Sequence, residues 1–352
     1  MQLAPTLTRE DAAGGAAAQR APLALEIFAS AAPKRLLQVQ SISEWAPRMI
    51  GPYCQCTSAF GRCLAAGSLG LVPHTMELEG DALAQTRRAL ENAAATVAAL
   101  DGGRFGVGRG AQLLVYVALE AHIVPIESEV RRWLKDRGLD TVESLLLFVQ
   151  IGTLPMGAIV EVQLEVDQVE PIATLSWVES IRESIRESIR EEGSHGLRLE
   201  CAAIFADPQS SAADHSNLDT ATRLKASIGT VQCLVCADNA ARLSLNEIGV
   251  VLASALRTLR DRLTLKGLVL AGEAGGGAHI RCFYEPDVEA APGEGEPAFA
   301  QRLEDALRGA AREALGQCTA VALPVHRVAH LHARIAVQLV CVCAFEPEQG
   351  DD

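Results

Sequence analysis

Aromatic residues make up only 4% of this 352-residue chain, although 49% of it is hydrophobic. Its cores must therefore be built from Ala, Val, Leu and Ile, and the length supplies two domains of ordinary size. Positive charge is scarce as well: 31 Lys and Arg stand against 44 Asp and Glu, for a net charge of −13. Nucleic-acid affinity needs clustered Lys and Arg, so this balance argues against a phosphate-tracking surface and against a ribonuclease. No apolar run approaches the roughly 20 residues that span a bilayer, and the N-terminus lacks the apolar core of a secretory signal. Neither a nucleic-acid nor a membrane partner is expected, and the expected location is the cytoplasm.

Phosphate loops and nucleophile motifs are missing too. The glycine-rich stretch 101–110 (DGGRFGVGRG) has no GxxxxGK[ST], and Gly106-x-Gly108-x-Gly110 misses the dinucleotide spacing, so it reads as a helix-to-strand connection. No GxSxG is present. Of the ten cysteines, Cys54-x-Cys56 and Cys341-x-Cys343 have strand spacing and read as small buried hydrophobes. Cys233-x-x-Cys236 could be half a zinc site or a redox pair, but no second Cys-x-x-Cys exists and TVQCLVCA alternates like a strand. His326, His330 and His332 lack a nearby Cys or carboxylate partner and read as turn or surface residues. No metal and no cofactor is expected.

What is present is an ordered set of short elements. Residues 1–30 are Ala- and Gly-rich and read as a mobile tail, and 348–352 as a second tail. Leu36 to Ile42 alternates as a first strand, and a hairpin at Ser58 to Arg62 leads to an apolar strand ending near Leu71. Asp81 to Leu100 has helical periodicity, and a second helix begins after Pro125 and ends at Gly138. Strands are expected at Ala111–Leu119, Ser144–Ile151 and Ala158–Val166. The second half repeats this order. Strands are expected at Leu197–Phe205 and Gly229–Ala237, and a capping box at Ser244 opens a helix to about Leu263. Strand material follows over Leu268–Tyr284, then a helix opened by Pro297 and ended by Gly316, then strands at Ala320–Ala329 and Ala333–Phe345. Similar order and spacing predict an internal duplication. Between the halves, 171–195 contains ESIR three times in succession, setting Trp177, Ile181, Ile185 and Ile189 four apart. This reads as a linker helix, with a partner-docking helix as the alternative. Each half, 31–170 and 196–347, is then an α+β layer: a mixed sheet with two helices on one face.

Gly51-Pro52-Tyr53, a strand, the small strand end Ala66-Gly67-Ser68, a Pro and a helix form an order that resembles the RidA (YjgF, L-PSP endoribonuclease-like) family. The string GLVPHTMEL is closer still to the tandem RidA-like domains at the C-terminal end of eukaryotic diphthine–ammonia ligases. The resemblance implies two tandem RidA-like (chorismate-mutase-like) domains, which associate through their sheet faces with ligand clefts between neighbours. It also implies a cleft in which a strand Arg clamps a carboxylate, a Glu positions water for imine hydrolysis, and the Tyr lines the wall. Using Leu154-Pro155 for register, Glu161 falls on the Glu position and Tyr53 on the Tyr. Leu146 falls on the Arg position and Phe148 on the Cys position, while Ser68 stands at the strand end. The last strand of the second half puts Ala336 on the Glu position and Gln338 opposite Gln163 in the match. The ligases' pyrophosphatase loop SGGKDS is absent from this sequence.

The expectation is therefore a module without catalytic residues, binding a small neutral ligand or an ATP-pyrophosphatase partner protein in diphthamide synthesis on elongation factor 2. The alternative is a RidA-type enamine/imine deaminase.

Overall fold

The computed structural model describes residues 34–59, 62–100, 112–139, 146–167, 173–180, 197–205, 226–237, 245–264, 268–270, 278–285, 296–315, 318–328 and 333–345. The tails, the glycine-rich stretch and the ESIR residues from Ile181 onward lie outside them.

The first unit opens with β1 (Arg35–Leu37), β2 (Cys56–Ala59), β3 (Arg62–Ala65) and β4 (Ser68–Leu69). Helix α1 (Ala82–Ala99) begins where Asp81 accepts a hydrogen bond from the Ala84 backbone N–H at 2.8 Å, offsetting one orphan donor of the first turn. Strand β5 (Gln112–Val117) leads to α2 (Ile123–Lys135), which starts two residues before Pro125. It closes on Gly138, whose φ of 68° suits glycine, while Leu139 N–H donates to Leu134 O at 3.0 Å. Strands β6 (Leu146–Gln150) and β7 (Val160–Asp167) complete the unit. Strand β1 is shorter than its alternating sequence predicted: only Arg35 to Leu37 pair with β2.

The second unit opens with β8 (Ala173–Ser180), paired antiparallel with β9 (Leu197–Phe205). This corrects the linker-helix reading over 173–180, Trp177 included. The fourfold spacing favoured a helix, but a full ladder of hydrogen bonds to β9 outweighs local propensity. Next come β10 (Ala226–Ala237), α3 (Leu245–Thr264), β11 (Leu268–Leu270), β12 (Ala278–Tyr284), α4 (Glu296–Leu315), β13 (Cys318–Pro324), β14 (Arg327–Val328) and β15 (Ala333–Phe345).

The two sheets share one plan. The first runs β1-β2-β3-β7-β5-β6 and the second β8-β9-β10-β15-β12-β13. In each, a parallel pair is bridged by a helix, α2 between β5 and β6 and α4 between β12 and β13. Register agrees as well: Tyr116 opposes Glu161 as Phe283 opposes Ala336, and Leu114 opposes Gln163 as Arg281 opposes Gln338. The chain is an α+β protein of two such layers. Their small fourth strands differ, because β4 precedes α1 whereas β11 follows α3.

Alternation divides the first sheet. One face, with Leu113, Val115, Leu146, Phe148, Val160 and Val162, packs under α1 and α2. Cys56 and Cys63 are both buried in this core, and the hydrogen bond with the Cys56 thiol, followed by burial, holds the Cys63 thiol strongly up. The other face is apolar where β5 and β6 present Leu114, Leu147 and Val149, while β7 puts Glu161, Gln163 and Glu165 on it, and its apolar part meets the second unit. Leu114, Leu147 and Val149 form one cluster with Phe283, Val325, Val328 and Ala336. Strand β14 then leaves the second sheet and pairs with β6, placing Val328 opposite Val149. His326 N–H donates to Gln150 O at 2.9 Å, and Arg327 forms an ion pair with Glu120.

Phe283 sits in this shared layer and is 2% exposed. Phe283→Ala should cost about 3–5 kcal/mol, read as a lower urea midpoint for the whole chain. A midpoint within error of wild type would show that the layer between the sheets contributes little.

Candidate functional site

The cleft forms where the first sheet is interrupted. Ala66-Gly67 separates β3 from β4, and Ala66 N–H donates to Gln55 O at 2.8 Å across the gap. Strand β4 then rejoins β7, with Leu69 opposite Glu161. Helix α1 fixes the returning backbone: Asn92 Nδ2 donates to Leu69 O at 3.0 Å and to Leu71 O at 2.8 Å. Gln85 ties the same helix to the start of β7 by accepting from Ile159 N–H at 2.9 Å. Each of these side chains is buried and satisfied, so the strand break is held by polar contacts.

Any side chain at 67 would displace the Glu161 carboxyl. A Cβ there would lie 1.6 Å from Glu161 Oε1 and 2.5 Å from its Cδ. Glu161 thus stands directly behind the Gly67 backbone, and burial pushes its carboxyl above the ordinary carboxylate range. Tyr53 reaches the cleft from the Gly51-Pro52 turn, where Tyr53 N–H donates to Gly51 O at 2.9 Å. Burial raises its phenol, a hydrogen bond from the Ile50 backbone opposes this, and the Glu161 charge adds to the rise. Ser68 lines the same cleft. Tyr53 and Ser68 therefore share the cleft lining, and Glu161 stands behind the neighbouring Gly67.

Leu146 and Phe148 do not line the cleft. Both lie in the helix-side core, at 1% and 0% exposure. Along β6 the side chains alternate, so the residue in line with Glu161 is Val149, which opposes Tyr116 as Tyr116 opposes Glu161. The expected placement of Leu146 and Phe148 in the cleft is corrected accordingly. Strand β6 carries no basic residue on either face. Sequence reasoning missed Arg48, Gln55, Asn92 and Thr96, which all line the cleft. Among the described residues no group of three His, Cys, Asp or Glu side chains could hold a metal ion, and no helix is long and apolar enough to cross a membrane.

No protein-family model matches the chain. It is 32% identical over 152 residues to the diphthine–ammonia ligase of Schizosaccharomyces pombe, a match covering 41% of this chain. The matched part is 24% of that protein, so the chain spans about a quarter of the relative's length. Among solved structures, the Escherichia coli YjgF gene product aligns at 22% identity and a TM-score of 0.33, over 36% of this chain and 96% of that one. RidA from an Antarctic Psychrobacter aligns at 24% identity and a TM-score of 0.31, over 36% and 95%. The chain is thus similar to RidA/YjgF proteins and to a diphthine–ammonia ligase.

A carboxyl whose folded pKa is raised binds its proton more tightly folded than unfolded. Stability from it is full at low pH and falls as pH rises through the raised value. Glu161→Gln should therefore gain thermal stability relative to wild type at pH 7 to 8, with the gain shrinking towards the ordinary carboxyl range near about pH 4. A gain that is independent of pH would contradict the desolvated carboxyl. In Gly67→Ala the carboxylate must be displaced, and the Tyr53 phenol should then titrate closer to its ordinary range by ultraviolet absorbance. An unchanged Tyr53 titration would argue against the Gly67–Glu161 contact.

Proposed function

We propose that this chain is a RidA-like ligand-binding module of diphthamide synthesis, working without turnover of its own beside an ATP-pyrophosphatase protein that modifies elongation factor 2. The pathway rests on the match to the fission-yeast ligase. The observation that carries the binding role is the cleft itself. Tyr53 and Ser68 line it, and Glu161 stands behind Gly67. Strand β6, separated from β7 by β5, reads LLFVQ and offers no clamp for a carboxylate. Substrate orientation by a bidentate Arg contributes much of the rate in such chemistry, so its loss favours binding over catalysis. The reading also has copies of the chain associate through sheet surface that the two units do not bury against each other.

A second reading draws on Glu161. A buried carboxyl with a raised pKa, close to the Tyr53 hydroxyl, could hold and activate water for imine hydrolysis. The neutral-ligand preference expected from Leu146 loses its basis, since that side chain belongs to the core.

Cells deprived of this protein should accumulate diphthine on elongation factor 2, measured by mass spectrometry of the modified peptide. Normal diphthamide in such cells would sink the pathway assignment. In a coupled assay with an enzymatically generated 2-aminoacrylate-type imine, the purified chain should not exceed the buffer rate. A saturable rate that vanishes in Glu161→Gln would establish the second reading instead.

A further inference from the structure

The cleft holds a charged side chain that neither reading employs. Arg48 lines its rim, on the loop that follows Ser43. Three consecutive residues of that loop are tied down. Pro47 O accepts from Gln55 Nε2 at 2.8 Å, Arg48 N–H donates to Met76 Sδ at 3.3 Å, and Met49 N–H donates to Val39 O at 3.0 Å. Gln55 fastens the same segment with its other amide atom, Oε1 accepting from Val39 N–H at 2.7 Å. Ala46 and Pro47 are buried, whereas Arg48 is exposed.

The guanidinium has no ion-pair or hydrogen-bond partner among the described residues. The acidic residue nearest to it on the loop, Glu44, pairs with His74 at 3.6 Å. Behind Gly67, the shift of Glu161 comes from burial, with no cation contributing. The cleft is therefore polarised, with a guanidinium at the rim, the hydroxyl residues Tyr53 and Ser68 in its lining and a carboxyl behind the Gly67 backbone. Ordering a flexible loop around a ligand opposes binding; here the backbone is already fixed, so only the Arg48 side chain remains to be ordered.

We propose that Arg48 is the ligand-selecting residue of this cleft, holding a small oxyanion, carboxylate or phosphate, while Tyr53 and Ser68 meet the ligand's polar body. The planar guanidinium presents parallel N–H donors that match two oxygens of either anion. The assignment rests on the ligand-binding reading of the cleft. It replaces the loss of anion binding expected from Leu146 with an anchor from a different element. Gln55 acts through Arg48 as a positioning residue, because both of its amide contacts hold the backbone on either side of the rim.

Titration calorimetry of the full chain with 2-oxobutyrate, inorganic phosphate and neutral 2-oxobutyramide tests this. At least one anion should bind about tenfold tighter than the amide, and the stronger of the two identifies the oxyanion. Arg48→Gln should abolish that preference and Arg48→Lys should keep part of it, since Lys retains charge without the fork. Gln55→Leu should weaken the anion more than the amide, narrowing the preference without abolishing it. Equal binding of anion and amide by wild type, or an undiminished preference in Arg48→Gln, overturns the assignment and leaves the cleft a binding site. If none of the three probes binds wild type, the assignment falls together with the reading beneath it.

Discussion

The apolar layer between the two sheets is the contact on which the rest depends. Each sheet buries one face under its own helices, which leaves a second face that is apolar over part of its strands. Leu114, Leu147 and Val149 from one unit and Phe283, Val325, Val328 and Ala336 from the other cover each other. The second unit also donates β14 to the open edge of β6, which removes a strand edge from solvent. One row of the first sheet links this layer to the cleft. Val149, Tyr116, Glu161 and Leu69 stand side by side across β6, β5, β7 and β4. Two of them, Val149 and Tyr116, pack against the second unit, and the next is the carboxyl whose titration burial raises.

The cleft is consequently a product of both packing and interruption. Packing dries the surroundings of Glu161. The break at Ala66-Gly67 lets a main chain approach that carboxyl where a side chain could not. Asn92 and Gln85 on α1 hold the broken strand in place from the helix side. The two units carry the same strand order, yet among the described residues only the first shows this arrangement. At the position matching Glu161, the second has Ala336, and it lies in the shared layer. Two sheets of one strand order thus serve differently, one framing a cleft and the other covering its neighbour.

Much of this was legible in the residues. Alternation marked β9 and β15 with their observed bounds, and Asp81 and Gly138 marked the helix ends where they occur. Tyr53, Ser68 and Glu161 were placed by resemblance; Tyr53 and Ser68 lie in the cleft lining, and Glu161 stands behind Gly67. The face of β6 was not legible, because SLLLFVQI is apolar at nearly every position and has no alternation to read. A shift of one residue moves every side chain to the other face, which is the error made at Leu146 and Phe148. For β8 the pairing partner lies across a long stretch of sequence, while the ESIR spacing beside it mimics a helix. Arg48 and Gln55 come from a loop whose position depends on Val39 and Met76, so no local pattern announces them. Asn92 and Thr96 did leave a trace: they are polar residues four apart on the same helix as the buried Ala89, Ala93 and Val97.

Hydrogen–deuterium exchange of the intact chain tests the shared layer most directly. Peptides covering β6, residues 146–150, and β12, residues 278–284, should show the same opening free energy under native conditions, because a common layer opens as one unit. Exchange through β12 at markedly lower free energy, with β6 still fully protected, would contradict the account.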